Sequence, residues 1–256
     1  MRKLSGWRLN SRSLLDDIKP SAGVINLTGQ IVSTGNGRLR VASGYAGKAM
    51  STADYADAVR DLIGFGRKLM GKMRTRMGEM ETLAETHGVD INRSQEVQKS
   101  LLAAVEGHQA RGEPVAAGTK LAQAAVLSLK DAEDIQQAAP KDAGVARMHE
   151  EAKAQAVDAA RQAVDAIEVD ARFGCSQEGK TGDDLEACTI QGRDKGIGLL
   201  RMQIINIQIQ VQESPETAID RAILGKGKYE IEHEIIRSDG TVLILLEAGH
   251  VVLDEN

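Results

Sequence analysis

The 256 residues combine 32 basic and 37 acidic side chains for a net charge of −5, and only 2% of them are aromatic. Mixed charge of this kind gives no global attraction to nucleic acid, and no apolar run reaches the length of a membrane span. A core so poor in Phe, Tyr and Trp has to be built from Ala, Val, Ile, Leu and Met, which suits thin helix-on-helix contacts better than a deep substrate pocket.

Residues 1–23 read as an N-terminal arm, polar through Arg8, Asn10, Arg12, Asp16 and Asp17 and broken at Pro20. Without the apolar stretch of a secretory signal, cytoplasmic synthesis is the expectation, and a place in a virion or larger assembly is compatible with it. Val24–Val32 and Arg38–Val41 flank the turn-forming Ser33-Thr34-Gly35-Asn36-Gly37 and predict a hairpin.

Ser51, with Asp54 three residues on, marks a helix start, and His87-Gly88 marks its end. Between them Tyr55, Val59, Leu62, Leu69, Met73, Met80 and Leu83 form a coiled-coil-like stripe, interrupted by Gly66 and Arg76. Gly64, Gly66, Gly71 and Gly78 each cost roughly 1 kcal/mol against Ala, so a close neighbouring helix is expected beside them. Further helices are predicted at 94–111, 119–138 and 144–172, separated by Gly112-Glu113-Pro114 and Pro140. In the last, Ala156-Val157-Asp158-Ala159 recurs seven residues later, an Ala heptad that permits close packing.

A Gly-rich connection is expected from 174, holding Cys175 and Cys188 as free thiols in cytoplasm. Beyond it Ile205, Ile207, Ile209 and Val211 alternate with Asn206, Gln208, Gln210 and Gln212. Leu200, Ile204, Ile207 and Val211 also fit a helix face, but the β-branched run favours a strand. The chain closes with a β-meander over 229–253.

Four features carry candidate chemistry. Gly174-Cys175-Ser176-Gln177-Glu178-Gly179-Lys180-Thr181 satisfies the phosphate-loop pattern, with Lys180 placed for outer phosphates, Thr181 for Mg²⁺, and Asp254 at the end of an apolar run as a metal-holding carboxylate. Its context weighs against it: the residues before it continue an Ala helix rather than a buried strand, and Asp183 and Asp184 follow. Arg60, Arg67, Lys68, Lys72, Arg74 and Arg76 form a basic cluster that fits nucleic acid or anionic lipid, but no aromatics interleave to stack on bases. A solvated face, or a partner for Glu133, Asp134, Glu150, Glu151, Asp158 and Asp165, is the preferred reading. Glu230, Glu232 and Glu234 share a strand face without a wrapping loop, and neither His149 nor His233 has a nucleophile or second ligand at a telling spacing, so no metal or cofactor is assigned.

The fourth feature is the uncharged amide row, an open-edge hazard that has to be buried in the chain's own sheet or against another subunit. The resulting expectation is an α+β protein. An Ala-rich helical hairpin or bundle (51–196, with the loop 174–196) projects from a small, mostly antiparallel sheet made by both chain ends (24–50 and 197–256). It is read as a non-enzymatic subunit of a homo-oligomeric ring, tube or virion-like assembly, pairing with its own copies and other assembly proteins through Ile205, Ile207, Gln208, Ile209, Gln210 and Val211. The alternatives are a phosphate-loop nucleotide-binding protein and a nucleic-acid module using Arg67, Lys68, Lys72, Arg74 and Arg76.

Overall fold

The computed structural model describes residues 41–212, 228–236 and 242–250. A 3-10 turn at Ala42–Tyr45 precedes five helices: α1 (Thr52–His87), α2 (Asn92–Ala110), α3 (Pro114–Ala138), α4 (Ala143–Gln177) and α5 (Gly182–Gln212). Two strands follow, β1 (Lys228–Ile236) and β2 (Val242–His250). The chain divides into two compact units, Met1–Gln208 and Ile209–Asn256.

Local punctuation sets the helix limits. Ser51 Oγ accepts the Asp54 N–H at 3.2 Å while the Asp54 carboxylate accepts the Ser51 N–H at 2.9 Å, a reciprocal capping box that occupies two otherwise orphan donors. At the other end of α1, Gly88 sits at φ 68°, with Gly88 N–H on Glu85 O and Val89 N–H on Ala84 O. This is a Schellman closure, which favours a residue without Cβ. Pro114 opens α3 at a position where a missing N–H costs nothing. Asp142 caps α4 by accepting the Gly144 and Val145 amides, and these bonds hold its carboxyl below the usual range.

Helix α3 is the centre of the bundle, packed by α1, α2 and α4. Every residue from Leu121 to Leu129 is buried, as an interior helix requires. Small residues make this possible: a Cβ built on Gly118 lies 3.0 Å from Ala163 Cα, so α3 and α4 run nearly backbone to backbone. On α1 the buried stripe is Ala58, Leu62, Gly66, Leu69, Met73, Met77, Met80 and Ala84, with Tyr55, Val59 and Leu83 only half-buried at its margin. The Met residues are core, as their spacing predicts.

Of the four α1 glycines, only Gly66 is closely approached. A Cβ there would meet Gln162 Nε2 at 2.5 Å, and that amide donates to Leu62 O at 2.9 Å. Gly64, Gly71 and Gly78 have nothing within 4 Å, so close helix packing does not explain them. Gln95, which donates to Met77 O, and Gln123, which donates to Gln203 O, make the same kind of cross-helix bond. Each fixes the register of two helices, because slipping by a turn would strand a buried amide.

The expectation of an α+β fold with a sheet drawn from both chain ends is overturned: the described molecule is a helical bundle. Residues 203–212, expected as a strand, continue α5, and tertiary burial is the reason. Leu185, Thr189, Leu200, Ile204 and Gln208 recur at helical spacing and are all buried, which outweighs the β propensity of the isoleucines. Strands β1 and β2 pair antiparallel with each other, Lys228 opposite His250 and Ile236 opposite Val242. The arm and hairpin expected over 1–40 lie outside the described residues.

The Gly-rich loop from 174 is also corrected. Helix α4 runs on to Gln177 and α5 begins at Gly182, leaving a four-residue turn. Gly192 and Gly196 are packing positions inside α5: a Cβ at Gly192 would lie 2.9 Å from Ala171 Cβ, and one at Gly196 would overlap Ile167 Cγ2. Cys175 and Cys188, expected as thiols, form a disulfide across this α4–α5 hairpin with a Cα separation of 6.1 Å.

Candidate functional site

The C-terminal half of α5 is poor in charge yet partly exposed. Between Gly196 and Gln212 it carries one charged residue, Arg201. Its inner side buries Leu200, Ile204 and Gln208. Outside, Leu199, Met202 and Ile205 lie three residues apart and are 53%, 44% and 36% exposed, with Ile190 a further exposed apolar side chain toward the start of the helix. Scattered surface leucines need no explanation, but a diagonal apolar stripe on a helix half with a single charge has the form of a contact surface.

The sequence-predicted interface residues fall on several sides of this helix. Ile205 belongs to the exposed stripe, Ile207 and Val211 are half-buried, and Gln208 faces the core. The side-chain surroundings of Ile209 and Gln210 lie outside the described residues. Period-two reasoning put the glutamines on one shared face, whereas the helix separates Gln208 from Gln210 by most of a half-turn. Leu199 and Met202 were missed. The available signal was the near-absence of charge from 196 to 212 taken together with helix periodicity.

The phosphate-loop residues do not form an open anion cradle. Gly174 is the last turn of α4, where its carbonyl accepts the Glu178 N–H. Gly179 (φ 78°) donates to Ser176 O and Lys180 N–H donates to Cys175 O, a second Schellman closure. The amides that would hold phosphate are therefore occupied by the helix end. Lys180 Nζ pairs with Glu178 at 2.9 Å and lies 3.2 Å from Cys188 Sγ, while Thr181 O accepts the Leu185 N–H. Asp254 lies outside the described residues.

The basic cluster is divided. Arg76 is buried on the α1 stripe and paired with Glu151 of α4, Arg74 pairs with Glu106 of α2 at 2.9 Å, and Arg60 pairs with Asp57 on its own helix. Arg67, Lys68 and Lys72 remain on the exposed side. Asp165, one of the acidic residues weighed as a partner for them, is instead buried, where its carboxylate accepts the Val41 and Ala42 amides at 3.0 and 2.8 Å and anchors the 3-10 turn. Burial raises its pKa, and the two amide bonds oppose that rise.

Among the described residues the surface includes two clefts. One, of about 430 Å³, lies between α1 and α4 and is lined by Lys72, Arg76, Glu79, Glu151 and Asp158. The other, of about 540 Å³, is lined by Tyr55, His108, Glu113, Lys120, Asp170 and Gln203. Within them Arg76 pairs with Glu151, Tyr55 with Asp170, and His108 with Glu113. Tyr55 stacks on Phe173 with ring centroids 4.2 Å apart and donates its hydroxyl to Asp170 at 2.9 Å; burial, then the Asp170 charge, pushes its pKa up to about 12. Glu113 accepts from Arg111 and contacts His108 Nδ1 at 2.6 Å, and these contacts hold it down at about 2. Among the described residues no group of three or more His, Cys, Asp and Glu side chains is placed to hold a metal ion, and no helix is long and apolar enough to cross a membrane. His149 sits beside Glu150 at 3.7 Å, and Glu232, opposite Leu246, and His233, opposite Leu245, are successive positions of the β ladder.

No protein-family model, curated protein or solved structure matches this chain.

Proposed function

We propose that the chain is a non-enzymatic assembly subunit that pairs with a second copy of itself along α5. The observation that carries this is the exposed Leu199–Met202–Ile205 stripe on a helix half whose only charge is Arg201. Two such faces meet without like-charge repulsion, and each covers apolar surface that the monomer leaves in water. A stable interface covers about 800 Å² on each partner, more than three side chains supply, so neighbouring side chains of the same helix half have to take part in the contact. The bundle gives this surface a rigid base, because the inner side of α5 is held by packing on α4 and by the Gln123 bond to Gln203 O.

Sedimentation velocity across a concentration series tests this directly. Wild type should sediment as a dimer or larger species, and Leu199→Lys with Ile205→Lys should shift it to monomer with an unchanged far-UV spectrum. Both positions are exposed enough that lysine costs the fold only about 0.5 kcal/mol or less. A wild-type monomer throughout, or a double variant indistinguishable from wild type, rejects the proposal. Gln208 is unsuitable for this purpose, since a charge there would enter the core.

A further inference from the structure

The two sulfurs that link α4 to α5 have unequal surroundings. Cys175 is 6% exposed, closed in beneath the last turn of α4, whereas Cys188 is half-buried at the surface of α5. Lys180 Nζ lies 3.2 Å from Cys188 Sγ, brought there by the Schellman turn that reverses the chain between the helices. A nearby ammonium favours thiolate over thiol, and the thiolate is the exchanging species.

The other charges around the pair modulate this effect. Glu178 shares Lys180 at 2.9 Å, and Asp184 lies one helical turn before Cys188 on α5. On α4, Arg172 is one turn before Cys175, but its guanidinium is engaged by Glu186 at 2.7 Å. Segment 47–50 is bonded to the same two helices, with Gly47 N–H on Glu186 and Met50 N–H on Ser176 Oγ, and Lys48 is its charge. Lys180 is the cation in direct contact with a sulfur of the pair.

We propose that Cys188 is the exchanging sulfur of a reversible thiol–disulfide site, taking a low-molecular-weight thiol as co-reactant, with Cys175 as the buried resolving partner and Lys180 as the activating group. In the reducing direction a thiolate RS⁻ attacks Cys188 Sγ, and the Cys175–Cys188 bond breaks. Its electron pair leaves on Cys175 Sγ, which takes a proton from water, and R–S–S–Cys188 forms. A second RS⁻ attacks the R sulfur, giving RSSR and a Cys188 thiolate beside Lys180. Two thiols are oxidised to one disulfide as the protein disulfide is reduced to two thiols, and the reverse sequence re-forms the Cys175–Cys188 bond.

The test uses the full chain in its Cys175→Ser form, in which Cys188 is the sole thiol, and follows iodoacetamide alkylation against pH. The midpoint should fall about one unit below the ordinary thiol value of about 8.5. Lys180→Met should return it toward that value and slow alkylation at pH 7 several-fold, while Glu178→Gln should shift it the opposite way. Because Cys175→Ser removes a buried sulfur, fully reduced wild type supplies a parallel measurement: mass analysis of the two cysteine peptides should show Cys188 modified at least tenfold faster than Cys175 in native buffer, and equally fast in guanidinium. Cys188 no faster than Cys175 in the folded protein, or an alkylation profile unmoved by Lys180→Met, overturns the proposal.

Discussion

Replacing Gly118 with valine should destabilise the bundle by about 2–3 kcal/mol, the cost of overpacking a well-filled core. The Cβ alone would lie 3.0 Å from Ala163 Cα, and that neighbour is backbone, so relief requires α4 to move away from α3. Valine adds two methyl groups beyond that point. Gly118→Ala should come out near neutral or slightly unfavourable, because the gain of about 1 kcal/mol in helix propensity is offset by the same contact. Gly71 and Gly78 serve as controls: both are exposed on α1 with nothing within 4 Å, and alanine at either should stabilise by about 0.5–1 kcal/mol. Urea unfolding followed by far-UV circular dichroism separates the two cases. A destabilised Gly71→Ala variant, or a Gly118→Val variant as stable as wild type, would falsify the packing account.

Stability should also fall as pH rises through neutrality, because of Asp131. This carboxyl is buried on α3, accepts Gln98 Nε2 at 2.6 Å, and has its pKa pushed up to about 7, by burial against the pull of its Ser94 and Gln98 bonds. The folded state thus binds a proton more tightly than the unfolded chain, whose aspartate titrates near 3.8. The contribution is fully present below the unfolded value, and it is lost as pH climbs through the folded one. A rise of this size corresponds to a loss on the order of 4 kcal/mol between pH 4 and pH 8. Protonated Asp131 also has an acceptor available in Gln98 Oε1, which is buried without a partner, once the amide is turned over. Asp131→Asn keeps a neutral group of the same shape, so it should remove most of the slope and be more stable than wild type at pH 8. Glu113, Glu186 and Asp142 act with the opposite sign. Their lowered pKa values, caused first by hydrogen bonds from Arg111, from Arg172 and from the Val145 amide respectively, make their contributions fade only as pH falls below the usual carboxylate range. Urea midpoints for both proteins from pH 4 to pH 8 check this, and parallel wild-type and Asn curves would dismiss the role given to Asp131.

How much of the molecule was legible in the sequence follows from where its signals are local. The Ser51–Asp54 cap, the stop at His87-Gly88 and the breaks at Gly112-Glu113-Pro114 and Pro140 depend on a few neighbouring backbone groups, and the helices between them stand close to their predicted places. Helix α5 was missed because alternating Ile and Gln satisfies a period of two, while its helical pattern is rewarded only once tertiary packing buries Leu200 and Ile204. Gly192 and Gly196 carry the same letter as loop glycines, yet they are needed for close approach of two helices. The Gly-x₄-Gly-Lys-Thr pattern likewise fits a helix end whose αL residue is Gly179. Arg76 was grouped with its basic neighbours, although its place in the apolar stripe was the stronger clue: a cation there needs a carboxylate from another helix, and Glu151 supplies it. The amide-rich stretch was therefore read with strand geometry, whereas it is helical.

The enclosure of α3 governs how the bundle can come apart. In a solenoid each unit leans only on its neighbours, so an end can peel away while the rest stands. Here α1, α2 and α4 all rest on the same central helix, and detaching any one of them bares part of the Leu121–Leu129 segment to water. The outer helices are consequently expected to unfold together, in a single cooperative transition.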